Sequence, residues 1–238
     1  MAHDLESHLL DQLSLERDYF WHRLRWQAVQ AYLPRERAFG LVDVGAGAGL
    51  LGESVAEAFP SARYPFVEPI PALHDELVGR HGARADLGRD RPFEGCGVVT
   101  LLDVHEHQAD DVGLLTALAA RMTAGTALIL TVPAFPWLWS GWDVALGHFR
   151  RYTRSPLRRV LDAARLETLE VSYLFPEMVP AGLARRVRLG ARADSDAVAL
   201  PRLSPWVNQA AYWAGRVSLS LRRFHRVGTS LLAVARKR

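Results

Sequence analysis

The chain of 238 residues is 49% hydrophobic with a formal net charge of +3, which suits one well-filled domain and excludes a disordered chain. Its longest apolar stretch, Ala127 to Trp139, is broken by Pro133 and Pro136, so it falls short of the roughly 20 apolar residues that cross a membrane. Cys96 is the sole cysteine, which excludes an internal disulfide and a cysteine-rich metal site.

The opening MAHDLESHLL carries acids and histidines rather than a basic start and an apolar run, so no signal peptide is read there and a cytoplasmic location is expected. Charge is unevenly divided. Residues 1–149 hold 11 Arg and 20 Asp/Glu, a net of −9, and residues 150–238 a net of +12. The split suits either an anionic partner for the second half or mutual neutralisation within one fold.

Apolar residues recur at helical spacing from Leu5 to Val29, and Pro34 stops the run. Strands and helices then alternate. Gly40–Val44 reads as a strand entering a tight turn, Leu50–Phe59 as a helix and Arg63–Val67 as the second strand. Pro71–His81 is a helix with proline in its first turn, and Ala83–Asp86 a short third strand. Val98–Asp103 is the fourth strand, and Asp110–Met122 a helix whose leading acids suit its N-terminal dipole. Thr126–Val132 is the fifth strand. Ser155-Pro156 opens another helix, Glu167–Leu174 is the sixth strand, and Thr229–Ala235 alternates like a seventh. Such alternation predicts a doubly wound α/β sheet, whose ligands bind beyond the carboxyl ends of the strands.

Those ends hold the unusual residues. Asp43-Val44-Gly45-Ala46-Gly47-Ala48-Gly49 follows the first strand. Glycines there allow a sharp turn and close approach to a ligand, and the next helix offers free N–H groups. Glu68, with Pro69, ends the second strand, where a carboxylate accepts both hydroxyls of a ribose in any dinucleotide or nucleoside cofactor. Asp86-Leu87 follows the third and suits an adenine ring.

These residues, together with Leu102-Asp103-Val104-His105-Glu106-His107 after the fourth strand, resemble the class I S-adenosylmethionine-dependent methyltransferases. The likeness runs from about Asp18 to Arg236. The NAD fingerprint wants its third small residue where this chain has Leu50, which favours the methyltransferase spacing over a dehydrogenase. The resemblance implies a Rossmann-like seven-stranded sheet, mostly parallel with the last strand antiparallel. It assigns Asp43, Gly45, Ala46, Gly47, Glu68, Pro69, Asp86, Leu87, Asp103 and Val104 to S-adenosylmethionine, with S-adenosylhomocysteine as product. Gly45, Gly47 and Asp103 would face the methionine portion, Glu68 the ribose and Asp86 the adenine amine. The family commonly has Leu at the position of His105.

Transfer of a sulfonium methyl needs alignment of the acceptor and, for a hydroxyl, a base. His148, His107, His105 and Tyr152 are the candidates, with histidine the usual choice near neutral pH. The loop after the fifth strand resembles that of a bacterial branch found among glycan and lipid-linked sugar enzymes. Trp137, Trp139 and Trp142 would form a sugar-stacking or apolar wall, and Arg150 and Arg151 an anion clamp. The competing reading makes the tryptophans core and His148 a pin for its own loop. No residue is assigned to a metal.

Pro176 to Gly228 is a 53-residue insert where a hairpin would suffice. It predicts two helices, Val179–Arg192 and Pro205–Phe224, serving as a lid, a dimer surface or a helix on anionic lipid. The expected organisation is one domain over 1–238. Its parts are a helical cap (1–37), a cofactor-binding core (38–175), an insert or lid (176–228), and a last strand and tail (229–238). The expected activity is methyl transfer to a small-molecule, sugar or lipid-linked acceptor, most simply at oxygen. The alternatives are an RNA or protein methyltransferase using the basic half, or a non-catalytic cofactor-binding module at a membrane. Base-amino methylation usually accompanies an Asn/Asp-Pro-Pro-aromatic run, and Asp103-Val104-His105-Glu106 departs from it, so a nucleic-acid partner is not expected. The oligomeric state is left open.

Overall fold

The computed structural model describes residues 18–36, 38–88, 90–190 and 203–238. The start of the predicted first helix and the end of the predicted Val179–Arg192 helix lie outside these residues. Strands β1 (Leu41–Val44), β2 (Phe66–Val67), β3 (Val98–Leu102) and β4 (Ala127–Pro133) are parallel neighbours in the order β2-β1-β3-β4. Beyond β4 the sheet continues through β6 (Ser230–Lys237) to β5 (Leu166–Leu174), and β6 runs antiparallel to both. Among the described residues the sheet therefore has six strands, not seven.

The missing strand is the predicted Ala83–Asp86. Gly82, at φ 81°, turns the chain out of its helix, and Ala83–Ala85 form a 3-10 turn joined to β2 by one bridge, Phe66 to Asp86. Two small residues and an exposed arginine bury nothing against a two-residue edge strand, so no ladder extends.

Helices cover both faces: α1 (Phe20–Gln30), α2 (Leu50–Ala58), α3 (Pro71–His81) and α4 (Asp111–Arg121), then the short α5 (Gly141–Ala145) and α6 (Arg154–Ala163). Asp110 caps α4 by accepting the Gly113 N–H at 2.8 Å. Thr153, not Ser155, stands before α6; Pro156 falls in the first turn, where its missing N–H costs nothing. One apolar layer centres on Val99, Leu101, Leu130, Leu157 and Leu231, and the other on Leu24, Val29, Leu41, Ile129 and Leu232.

The insert carries α7 (Val179–Leu189) and α8 (Pro205–Ser220), the latter followed by a 3-10 turn over Arg222–Phe224. It is bound at both ends. Asn208 Oδ1 accepts the Phe20 N–H at 2.8 Å, and Gln27 donates to the Tyr212 hydroxyl at 2.7 Å, joining α8 to α1. Gly215 lets the two helices approach, since a Cβ there would strike Leu24. Helix α7 instead lies on the loop after β4, where Arg186 donates to the Trp137 carbonyl and the Gly141 N–H to the Gly190 carbonyl.

At the centre of the sheet, Asp43 of β1 is 3% exposed. Its carboxylate accepts the Tyr64 hydroxyl at 2.5 Å and the Thr100 hydroxyl at 2.7 Å, tying β1 to the segment entering β2 and to β3. Replacing Tyr64 by Phe leaves part of this buried carboxylate unsatisfied, which costs about 1–3 kcal/mol. Thermal unfolding of Tyr64→Phe is expected to fall by at least about 2 °C; an unchanged Tm would show that the hydroxyl does not hold the strand ends.

Candidate functional site

Strand order reverses between β1 and β3, because β2 lies on one side of β1 and β3 on the other. The crevice of a doubly wound sheet lies over that reversal. Gly45, Gly47 and Gly49 have φ of 71°, 55° and 77°, a region that side-chain-bearing residues rarely enter. A Cβ on Gly45 would also come within 2.5 Å of Val104, so the turn packs directly on the loop after β3. At Gly47 a Cβ would meet nothing within 4 Å, and the turn is open on that side.

Glu68 spans this turn. Its Oε2 accepts the Gly47 N–H at 2.7 Å and its Oε1 the Ile70 N–H at 2.9 Å. Burial pushes the Glu68 carboxyl up, and the two backbone donors oppose that. Each oxygen keeps a further lone pair, enough to receive two hydroxyls. Asp86 accepts the Gly88 N–H at 2.8 Å, and its other oxygen lies 3.2 Å from His74 Nε2. Burial acts to raise the Asp86 carboxyl, but the Gly88 N–H and His74 outweigh it and hold it below its usual range.

Asp103 closes the rim from β3. It is a non-glycine residue at φ 57°, a conformation that costs of order 1–3 kcal/mol and clusters at functional sites. Thr131 donates to one of its oxygens at 3.1 Å, and Arg25 of α1 pairs with the other. Beyond that pair a cleft of about 790 Å³ opens between α1, α2 and α8, lined among others by His22, Arg25, Leu50, Leu102 and Tyr212. It adjoins the glycine turn rather than containing it.

The loop after β4 is closed at its base, where the Phe135 and Tyr152 backbones pair with Tyr152 and Pro133. Asp143, 0% exposed, is its hub. It accepts the Ser140 N–H at 2.9 Å in a capping box at α5. Its other oxygen accepts His148 Nδ1 at 3.0 Å and Arg151 Nε at 2.7 Å. Arg150 joins this loop to the preceding one, pairing with Asp111 at 2.6 Å and donating to the Ala109 carbonyl. The Phe149 N–H adds a bond to the Glu106 carbonyl at 2.8 Å.

These bonds bring His148 beside Glu106 and His107, with the His107 and His148 rings edge-to-face at 4.7 Å. Burial, aided by the neighbouring His148, lowers the His107 pKa to about 4. Burial also lowers His105 to about 4 and pushes Glu106 well up.

The structure sorts the residues singled out from sequence. Asp43, Gly45, Ala46, Gly47, Glu68, Pro69, Asp103 and Val104 lie at the carboxyl ends of β1 to β3, while Asp86 and Leu87 follow the 3-10 turn, Asp86 bridged to Phe66 of β2. His107 and His148 meet. His105 and Tyr152 do not join them: both are buried and stacked on each other at 5.4 Å, and the Tyr152 hydroxyl donates to Asp111. Arg150 and Arg151, read as an anion clamp, hold protein groups instead, Arg151 spanning Asp143 and the Ala134 carbonyl. Trp137 is exposed, while Trp139 and Trp142 are half-buried, with the Arg185 guanidinium 4.0 Å over the Trp142 ring. Sequence reading missed Arg25, Tyr64, His74 and Arg185, which act through partners distant along the chain. Asp143 was visible only as one residue in an aromatic run.

No protein-family model matches the chain, and a search of curated proteins finds no similar sequence. Solved structures do resemble it. A chain of the complex between the Haloferax volcanii Trm112 methyltransferase activator and the putative methyltransferase aligns with a TM-score of 0.63 at 14% identity, over 98% of this chain and 97% of that one. A second is Haemonchus contortus phosphoethanolamine N-methyltransferase 2 in complex with S-adenosyl-L-methionine, with a TM-score of 0.58 at 12% identity. That match covers 96% of this chain but only 60% of the longer enzyme. A methyltransferase of this cofactor class from Archaeoglobus fulgidus aligns with a TM-score of 0.54 at 13% identity, over 91% and 94% of the two chains. The chain therefore has the α/β fold of the S-adenosylmethionine-dependent methyltransferases.

Proposed function

We propose that the protein transfers a methyl group from S-adenosylmethionine to an oxygen of a small-molecule, sugar or lipid-linked acceptor. One observation carries this reading: the open glycine turn, Glu68, Asp86 and Asp103 share one rim over the reversal of strand order. Those residues fit the cofactor. Gly47 leaves room where a side chain would intrude, and Glu68 retains lone pairs for a ribose diol. Asp86 would take the adenine amine beside Leu87, and Asp103, oriented by Arg25 and Thr131, the methionine ammonium. When bound, the cofactor supplies a methyl already activated by its sulfonium.

The acceptor lies in this reading against Glu106, His107 and His148, on the loops adjoining Asp103. Asp143 fixes the His148 ring, so Nε2 points toward Glu106, and in the neutral ring it presents its lone pair there. His105 and Tyr152 serve as packing. Trp137, Trp142 and Arg185, held by α7, form the outer wall, and the insert is a cover over the acceptor.

A lipid-linked acceptor is favoured by a specific surface. Trp206, Trp213, Val217 and Phe224 are all more than half exposed on α8 and the turn after it, beside Arg216 and the exposed Arg223. Apolar and basic groups on one exposed surface suit an anionic membrane interface. No helix among the described residues is long and apolar enough to cross a membrane.

Calorimetric titration with S-adenosylhomocysteine is expected to show saturable binding that Glu68→Ala weakens at least about tenfold, the loss of charge-assisted hydrogen bonds worth about 1.5–3 kcal/mol each. Failure to bind at millimolar ligand would end the methyltransferase reading. Incubation with the cofactor and extracted sugar or lipid acceptors is expected to yield a product heavier by one CH2 in mass spectra. On anionic vesicles the protein is expected to float, and the double variant Trp206→Ser/Phe224→Ser to remain in the pellet; equal flotation of the two would remove the membrane contact.

A further inference from the structure

Glu106 and His107 lie about 40 residues from His148 in sequence, yet their side chains converge. Each presents one ligand atom, and these three atoms lie within 4.8 Å of one another. Glu106 is 1% exposed; its Oε1 stands 4.0 Å from His148 Nε2, and its Oε2 has no hydrogen-bond partner among the described residues. Buried carboxylates are ordinarily hydrogen-bonded, paired or bound to a metal, and this one faces two imidazoles.

The His148 imidazole is held from behind. His148 Nδ1 donates to Asp143, because an ionised carboxylate can only accept, and in the neutral ring this leaves the Nε2 lone pair toward Glu106. The Leu146 backbone lies near the His107 ring and acts to raise its pKa, against the larger effect of burial. An outer carboxylate or carbonyl on the far nitrogen is how histidine ligands are oriented. Asp143 is itself fixed by Ser140 and Arg151, so the His148 ring has little freedom to turn away.

We propose that Glu106, His107 and His148 bind one divalent transition-metal ion of the zinc or cobalt kind, whose remaining coordination positions take an oxygen of the methyl acceptor. Two imidazole nitrogens and one carboxylate oxygen suit such an ion, whereas magnesium and calcium prefer all-oxygen sets. Ligand atoms on bonds of about 2.0–2.2 Å stand roughly 3.3–3.6 Å apart in tetrahedral geometry. His148 and Glu106, 4.0 Å apart, therefore need to close by about 0.5 Å, and the widest pair, within 4.8 Å, by up to about 1.5 Å. Three protein ligands leave positions open, the pattern of catalytic rather than structural sites.

The cation site rests on geometry alone; its use toward the acceptor rests on the methyl-transfer reading. In that use the ion lowers the pKa of the acceptor hydroxyl, and the hydroxyl proton passes to solvent. The acceptor oxygen then bonds to the methyl carbon as the methyl–sulfur bond breaks. The sulfur keeps that electron pair, and neutral S-adenosylhomocysteine leaves.

The test uses the full-length, tag-free chain, freed of metal by a chelator and titrated with CoCl2 while its visible absorption is recorded. One equivalent of Co2+ is expected to give a visible band that ZnCl2 removes and millimolar MgCl2 does not. Glu106→Gln and His148→Asn, checked for native circular dichroism, are expected to bind Co2+ at least about tenfold more weakly. A wild-type protein without a saturable Co2+ band overturns the site, as do two folded variants that bind as tightly as wild type. The wild-type titration decides the matter by itself should either variant fail to fold. S-adenosylhomocysteine titrated into the same samples separates the two proposals. Co2+ binding without it supports the site and removes the methyl-transfer reading; its binding without Co2+ overturns the site alone.

Discussion

A buried carboxylate with two hydroxyl partners sets the geometry on which the cofactor half depends. Asp43 stands in β1, level with Phe66 of β2 and Thr100 of β3, and draws a donor from each side. An ionised carboxylate in such a place is expensive unless satisfied, so its two hydrogen bonds hold β1 to β3 and to the segment entering β2. Gly45 to Gly49 begin where β1 ends. The turn can then bring the Gly47 N–H to Glu68 and lie against Val104.

The second half repeats the device. Asp143, equally buried, gathers Ser140, His148 and Arg151, while Arg150 reaches across to Asp111. The acceptor-side cluster exists because these bonds draw the loop after β4 against the loop after β3. They also account for part of the charge split along the chain: Arg150 and Arg151 of the basic half neutralise Asp111 and Asp143 of the acidic half inside one fold. Others, such as Arg222 and Arg236, pair with Glu170 and Glu167 of their own half. Arg223 is largely exposed and sits beside the apolar surface of α8 and its following turn.

The sequence was most legible where structure is local. Glycines that need positive φ, prolines in first turns and β-branched runs identified β1, α3, β3 and β4 and the acids at their ends. It misled where local pattern lacked tertiary support. Ala83–Asp86 looked like a strand but had no partner long enough to pair with. Arg150 and Arg151 looked like a ligand clamp because their partners, Asp111 and Asp143, become neighbours only after the loops close. The cluster of Glu106, His107 and His148 was illegible for the same reason: the histidines were visible singly, and nothing in their spacing says that two loops bring them together. Arg25 was hidden too, since only the packing of α1 places it on Asp103.

Methyl transfer by this fold requires the glycine-turn rim to be the cofactor site. A crystal structure of the protein grown with S-adenosylhomocysteine tests this most directly. The expected structure has the ribose hydroxyls on Glu68, the adenine beside Asp86 and Leu87, and the amino-acid end between the glycine turn and Asp103. A ligand seated instead in the cleft between α1, α2 and α8, with Glu68 still bound only to Gly47 and Ile70, would contradict it.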